Sequence, residues 1–202
     1  MRLNLGPPPK DDTISEEGST WYPVNEPGLI RLQITAFFTA LLIAAFIALV
    51  ILLTRGSNHI GGMLRPIVLL FIILVIPIHE FLHAVCFKGR LTSKRVIFGF
   101  YPKVLGFYAH YIGQVSWYRY IVIAVFPFLI LTVIPLIIVI IFNLEYPFVV
   151  EVIFANGLAS AGDVVTVIII LKQVPRQSIL INTGMKTYWK PVSNKPLESD
   201  VE

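Results

Sequence analysis

Charged residues and cysteines are both scarce in this 202-residue sequence. Only 14% of the residues are charged, against about 25% in an ordinary soluble domain, and 56% are hydrophobic. This composition excludes a conventional soluble domain. The single cysteine, Cys86, excludes an internal disulfide and a cluster of thiolate metal ligands. We therefore interpret the chain as a polytopic membrane protein.

The basic residues outnumber the acidic ones by 16 to 12, but they lie mainly in loops and tails beside apolar segments. That placement is a topology signal, so no nucleic acid partner is expected. The two tails and the middle loop hold 14 of the 16 basic residues. This predicts that both termini are cytoplasmic. The simple architecture favours a prokaryotic plasma membrane.

Four apolar segments are long enough to cross the bilayer as helices. The predicted spans are residues 29–54, 66–87, 118–142 and 148–171. They predict an all-α polytopic membrane protein with four transmembrane helices and a core at residues 28–171. No cleavable signal peptide is evident, because the first apolar stretch begins only near Leu29.

The remaining segments are polar or β-prone. Residues 1–27 are rich in Pro, Gly, Ser and acids and are predicted to be a disordered cytoplasmic tail. Residues 172–202 are predicted to be a second cytoplasmic tail with a short strand at 178–182. Aromatic and β-branched runs within residues 96–108 predict a short hairpin-like, interfacial segment between the second and third helices. It either offers a strand edge to a substrate or is an interfacial loop anchored by aromatics.

The pattern His79-Glu80-x-x-His83 lies inside the second apolar segment. In a helix the two histidines are one turn apart and share a face, so they can bind one metal ion. Glu80 follows directly and can reach a water on that metal. The pattern therefore predicts two Zn²⁺ ligands and a general base. The alternative is two neutral packed histidines, which would be costly in an apolar run.

A catalytic zinc usually takes a third protein ligand, and Asp163 is the best candidate. Asp163 lies nine residues before Lys172, and His79 lies nine residues before Lys88. The second and fourth predicted helices run in the same direction, so both side chains are expected at the same depth.

Other polar residues are candidates for secondary roles. Asn156, Ser160 and Asp163 follow an i, i+4, i+7 pattern and form one polar stripe. Asn156 and Ser160 are candidate contacts to the substrate or to the oxyanion. His110 and His59 are alternative third ligands, although both fall in predicted loops and are more readily explained as surface histidines.

The motif together with an aspartate on a later helix resembles the site-2 protease class of intramembrane metalloproteases. The His-Glu-Phe-Leu-His run and the Asn-x-x-x-Ser-x-Gly-Asp stretch are more closely similar to the "putative zincin peptidase" family of small four-span membrane proteins. The resemblance covers residues 30–190. It implies His79, His83 and Asp163 as zinc ligands and Glu80 as general base. The implied function is hydrolysis of peptide bonds in membrane-embedded substrates near the cytoplasmic face.

The expected partners are a transmembrane protein or peptide substrate and the lipid bilayer, and assembly into a homo-oligomer is left open. One alternative function is a non-catalytic zinc-binding membrane scaffold, or pseudoprotease. A structural zinc would need four protein ligands, whereas only three lie at one depth. A transporter is a second alternative, but the sequence shows neither a long polar pathway nor paired repeats.

Overall fold

The computed structural model describes residues 2–11, 14, 20–56, 66–104, 106–144 and 146–192. In this part the chain forms helices and two sheets. In chain order the elements are β1 (Arg2–Leu5), β2 (Tyr22–Pro23), α1 (Leu29–Arg55), α2 (Ile67–Val85), β3 (Val96–Tyr101), β4 (Gly106–Tyr111), β5 (Val115–Ser116), α3 (Trp117–Phe128), α4 (Ile134–Ile141), α5 (Pro147–Ala159), α6 (Ala161–Gln173), β6 (Ser178–Thr183) and β7 (Lys186–Pro191). A π-helical turn, Leu129–Val133, joins α3 to α4.

The prediction of an all-α protein with four transmembrane helices is wrong. Among the described residues the fold is mixed, with seven strands in two sheets. Within the residues that the structure describes, two helices, Leu29–Arg55 and Trp117–Ile141, are long and apolar enough to cross a membrane. A third span exists only if α5 and α6 are counted together across a 45° bend. The prediction failed because the hydropathy of a sequence window records composition and not whether one straight helix carries it.

The bend between α5 and α6 lies at Ser160, which is both the C-cap position of α5 and the N-cap position of α6. It places Asp163 in the first turn of α6. A carboxylate is favoured there because unpaired N–H groups give a helix N-terminus a partial positive charge. The predicted fourth span is thus a bent helix pair with a partly buried acidic residue just after the bend.

Strands from both predicted tails complete the sheets. Sheet A has the order β1-β3-β4, with β1 parallel and β4 antiparallel to β3. Sheet B is antiparallel with the order β2-β7-β6-β5. The β-prone segment at 96–108 contributes β3 and the start of β4, and β6 includes the strand predicted at 178–182. Strand pairing between distant segments leaves no local periodic signal, which is why the extent of β structure was missed.

The two sheets lie at the end of the helices at which α2 and α6 finish and α1 and α3 begin. The side-chain amide of Gln173 at the end of α6 exchanges two hydrogen bonds with the backbone of Asn25, at 2.8 and 3.0 Å. The indole N–H of Trp117 at the start of α3 donates to the carbonyl of Val174 at 3.1 Å. Buried side chains from helices and sheets form one core there, including Ala84, Phe87, Val96, Tyr111, Trp117, Tyr120, Ile170 and Leu180.

A second core lies between α1, α4 and α5 and is built mainly from aliphatic side chains. Gly157 allows α5 to approach α1 closely, since a Cβ atom at this position would lie 2.7 Å from Cδ1 of Ile47. Small residues have this role in many membrane helix pairs. The close approach holds α5, and with it the start of α6, against the long first helix.

Strand β1 is fastened to sheet A through the side chain of Tyr108. The Tyr108 hydroxyl accepts a hydrogen bond from the Asn4 amide at 2.5 Å and donates to the Gly6 carbonyl at 3.1 Å. The Tyr108 ring lies over Gly99 of β3, where a Cβ atom would come within 2.2 Å of the ring. A glycine at this position is therefore required for the ring to reach β1.

We predict that Gly99→Ala displaces the Tyr108 ring and loosens β1. Loss of the two hydrogen bonds at about 1 kcal/mol each would speed amide exchange in residues 2–6 by roughly tenfold or more. Hydrogen exchange read by mass spectrometry measures this change. Gly28→Ala is the control, because a Cβ at Gly28 meets no atom within 4 Å. Unchanged protection of residues 2–6 in Gly99→Ala would contradict this role of the ring.

Candidate metal centre

The two histidines of the motif are buried on α2, with 4% and 8% of their surfaces exposed for His79 and His83. The helix places their rings one turn apart, as the i, i+4 spacing requires. Their Nε2 atoms are 3.1 Å apart. Two imidazoles therefore present nitrogen atoms to one point beside α2, a helix whose other residues, apart from Glu80, are apolar.

Asp163 reaches the same point from the first turn of α6. Its Oδ2 atom is 2.9 Å from Nε2 of His79 and 3.4 Å from Nε2 of His83. A tetrahedral zinc at about 2.0–2.1 Å from each ligand separates neighbouring ligand atoms by about 3.3 Å. The triangle of donor atoms is close to that size, and its imidazole and carboxylate groups are ordinary zinc ligands. These three residues fit a zinc ion.

Each imidazole uses its other ring nitrogen to contact a carbonyl oxygen. Nδ1 of His83 lies 2.8 Å from the main-chain carbonyl of Ile123 in α3. Nδ1 of His79 lies 2.9 Å from the amide oxygen of Asn156 in α5. A carbonyl oxygen only accepts, so both rings carry a proton on Nδ1, and Nε2 is the nitrogen left to bind a metal when it is unprotonated. This is the tautomer that a metal ligand needs.

The side chain of Asn156 is held by three further contacts and is fully buried. Its amide nitrogen donates to the Thr132 hydroxyl at 2.9 Å, to the Pro127 carbonyl at 3.2 Å and to the Ser160 hydroxyl at 3.3 Å. These acceptors require the nitrogen on their side, so the amide oxygen faces His79. The structure therefore brings Asn156 and Ser160 together behind a histidine, and neither is among the residues that line the cavity described below.

Glu80 lies beside the histidines, with a carboxylate oxygen within 4.8 Å of a ring nitrogen of each. It accepts a hydrogen bond of 2.6 Å from the main-chain N–H of Ala109 in β4. Ile112 pairs with Arg95 through a 2.9 Å hydrogen bond at the end of the same ladder. Since N–H groups alternate sides along an antiparallel strand, that of Ala109 points away from β3 and toward α2. The outer edge of β4 thus meets the motif helix.

His79, Glu80, His83 and Asp163 together form a polar cluster, and a cavity of about 280 Å³ opens beside it. Three members of the cluster, Glu80, His83 and Asp163, form part of its wall. The remaining wall comes from the sheets, from α3 and α6 and from the segment that follows α2, including Phe87, Tyr108, Ala109, Tyr111, Tyr120, Ala124, Thr166 and Asn182. The polar groups of the cluster therefore face a space that can admit water and part of a peptide.

The alternative third ligands are not part of this cluster. His110 lies in β4 and is buried, and its Nε2 atom has no hydrogen-bond partner among the described residues. Burial lowers the pKa of the His110 imidazole, and the carboxylate of Asp11 partly offsets this effect. His59 lies outside the described residues.

Sequence reasoning missed the main-chain groups that complete the site. The N–H of Ala109 and the carbonyl of Ile123 contact Glu80 and His83, but every residue carries such groups, so a motif does not mark them. The hydroxyl of Thr132 was also missed, since one threonine in an apolar span is unremarkable. The one sequence signal for these groups is Pro127, four residues after Ile123, because a proline leaves a helical carbonyl without its usual donor.

Comparison with known proteins gives one match. A model of the family described as "putative zincin peptidase" matches residues 71–179, which is more than half of the chain. The matched segment contains all four residues of the cluster. No curated protein and no solved structure matches the chain.

We predict that the purified protein binds about one zinc ion per chain and that Asp163→Ala weakens this binding by more than about 100-fold. Removal of a residue that only hydrogen-bonds to a metal ligand lowers metal affinity by about 10–100-fold, so removal of a ligand should lower it more. Zinc content after gel filtration and competition with a chelator measure the affinity. Glu151→Ala is the matched control, because Glu151 is the other carboxylate of the bent helix pair and is itself buried. Wild-type affinity in Asp163→Ala would refute the ligand role.

Proposed function

Because the chain belongs to the "putative zincin peptidase" family, we propose that it is a zinc-dependent endopeptidase that cleaves membrane-embedded substrates near the cytoplasmic face. The family's description itself suggests a zinc metallopeptidase. The observation that carries the proposal is the shared cavity wall, where Glu80 lies next to two of the three candidate ligands. A ligand set and a separate carboxylate facing the same space are what metal-assisted hydrolysis requires.

The zinc would be held by His79, His83 and Asp163. When bound, zinc supplies a Lewis acid that makes water more acidic and polarises a carbonyl group. The chain's own contribution is to present three donor atoms of fixed orientation. The carbonyl contacts behind the rings keep both imidazoles in the required tautomer, so little reorganisation accompanies metal binding.

Glu80 is proposed to be the general base. Its Oε2 atom is held by the Ala109 N–H, while a carboxylate has a second oxygen that can accept a proton. Glu80 would take the proton of the attacking water and pass it to the leaving amine nitrogen as the peptide C–N bond breaks. Its place in the cavity wall supports this role, since both water and substrate must reach the same carboxylate.

The outer edge of β4 is the proposed platform for the substrate. β4 is an edge strand of sheet A, and its Ala109 N–H already faces the motif helix. An extended peptide can pair with such an edge through main-chain hydrogen bonds. A helical substrate would first have to unwind locally, because its backbone groups are otherwise paired within the helix.

Cleavage within the membrane is supported by the elements that carry the site. The motif lies on an apolar helix, and two to three apolar helices could span a membrane. Among the residues that the structure describes, the sheets and most of the basic side chains lie toward the end of the helices that carries the cavity. With basic residues favoured on the cytoplasmic side, this end is proposed to face the cytoplasm of the cell.

We expect Glu80→Gln to retain zinc and to lose peptide hydrolysis by about 10²–10⁴-fold, because glutamine cannot accept the proton. The assay follows cleavage of candidate transmembrane peptides by the protein in lipid vesicles, with zinc content measured on the same samples. Glu151→Gln serves as the control for loss of a buried carboxylate. A chelator should abolish wild-type cleavage, and added zinc should restore it.

The same experiment separates the alternative of a non-catalytic zinc-binding scaffold. A scaffold would bind zinc in both wild type and Glu80→Gln and would cleave nothing in either form. Undiminished cleavage by Glu80→Gln would instead remove Glu80 from the mechanism. Trapping of membrane peptides on the inactive Glu80→Gln form, followed by mass spectrometry, would identify the substrate.

A further inference from the structure

A proline in α3 lies behind both candidate zinc histidines. In an α-helix the carbonyl of residue 123 accepts from the N–H of residue 127. Residue 127 is proline, which has no N–H, so the Ile123 carbonyl lacks its usual helical donor. That carbonyl is the one that Nδ1 of His83 contacts at 2.8 Å. Because Pro127 cannot donate to the Ile123 carbonyl, this carbonyl is available to accept a hydrogen bond from His83.

The same proline also reaches the other histidine through Asn156. The Pro127 carbonyl accepts from the Asn156 amide nitrogen at 3.2 Å, and the Asn156 amide oxygen lies 2.9 Å from Nδ1 of His79. Pro127 is buried in α3. Pro127 therefore leaves the Ile123 carbonyl free for the His83 ring. It also helps to orient the Asn156 amide that contacts the other imidazole.

A simple kink is the competing explanation, because prolines are tolerated in membrane helices and often bend them. The same continuous helix holds a second proline, Pro135, at the start of α4. Pro135 follows the π-helical turn, in which the Ile134 N–H donates to the Leu129 carbonyl. The carbonyls of Ile130 and Leu131 therefore both lack their usual α-helical donor, the second because residue 135 is proline. No side chain in the described part of the chain donates to either of these carbonyls. Comparing substitutions of the two prolines therefore distinguishes an effect on the histidines from a general effect on helix shape.

We propose that Pro127 is a positioning residue for the zinc site, acting by reserving the Ile123 carbonyl for His83. Competition for this carbonyl would free the ring to rotate or to change tautomer, and its Nε2 lone pair would then point away from the ion. The inference rests on the proposed function only in that the site must bind zinc. In this proposal a residue of α3 fixes the orientation of a zinc ligand, although α3 contributes no ligand itself.

The test compares Pro127→Ala with Pro135→Ala in the full-length protein. Alanine at 127 restores the N–H that competes with His83 while keeping the carbonyl that Asn156 uses. Zinc affinity, measured by chelator competition, is expected to fall by about 10–100-fold in Pro127→Ala and to stay near the wild-type value in Pro135→Ala. Pro127→Gly restores the same N–H without a methyl group and should match Pro127→Ala, which excludes a steric cause.

A spectroscopic measurement distinguishes positioning from loss of structure. At saturating cobalt, the visible absorption bands of Pro127→Ala should differ from those of wild type, whereas the bands of Pro135→Ala should superimpose on them. Thermal unfolding of the metal-free variants should show no loss of stability, since alanine and glycine suit a helix interior better than proline does. Zinc affinity within about threefold of wild type in Pro127→Ala, or an equal loss in Pro135→Ala, would overturn the proposal. A wild type that takes up no zinc would instead refute the proposed function.

Discussion

The structure depends on a carbonyl acceptor for Nδ1 of each buried imidazole, the ring nitrogen that faces away from Asp163. His79 and His83 lie in an apolar helix with almost no exposure, where an unpaired polar group costs several kcal/mol. The Ile123 carbonyl and the Asn156 side chain remove that cost. They also decide which ring nitrogen is free, and the two free nitrogens converge on Asp163. Burial, tautomer and ligand geometry are therefore set by the same two contacts.

These contacts come from different helices, so the site is also a packing constraint. Asn156 belongs to α5, and its amide is fixed by the Thr132 hydroxyl from the π-helical turn after α3. Thr132 in turn donates to the Ile153 carbonyl at 3.2 Å, which closes the network on α5. A fully satisfied buried network rigidifies its surroundings, because any shift leaves a group unpaired. The π turn, an irregular feature often found at functional sites, supplies the threonine at the right place.

The sheets supply a free main-chain N–H group, which the helices cannot. A helix satisfies its own backbone, so it has no N–H to offer Glu80, whereas an edge strand exposes one at every second residue. β4 uses such a group on Ala109 to hold the carboxylate beside the cavity. Pairing of β1 with β3, and of β2 and β6 with β7, ties both chain tails to this end of the molecule. The protein thus combines an apolar helical body with a small β cap around the cavity.

The sequence by itself determined the local features. The spacing of His79 and His83 predicted a shared face, the matched distances to the next basic residues predicted that Asp163 lies at the same depth, and the zincin family was visible in the motif. The metal roles of these residues stay predictions. Only the tertiary structure decided the bent fourth segment, the two sheets and the carbonyl and N–H partners of His83 and Glu80. Helix periodicity and side-chain chemistry are written in short stretches of sequence, whereas strand pairing and backbone acceptors depend on which distant segments meet.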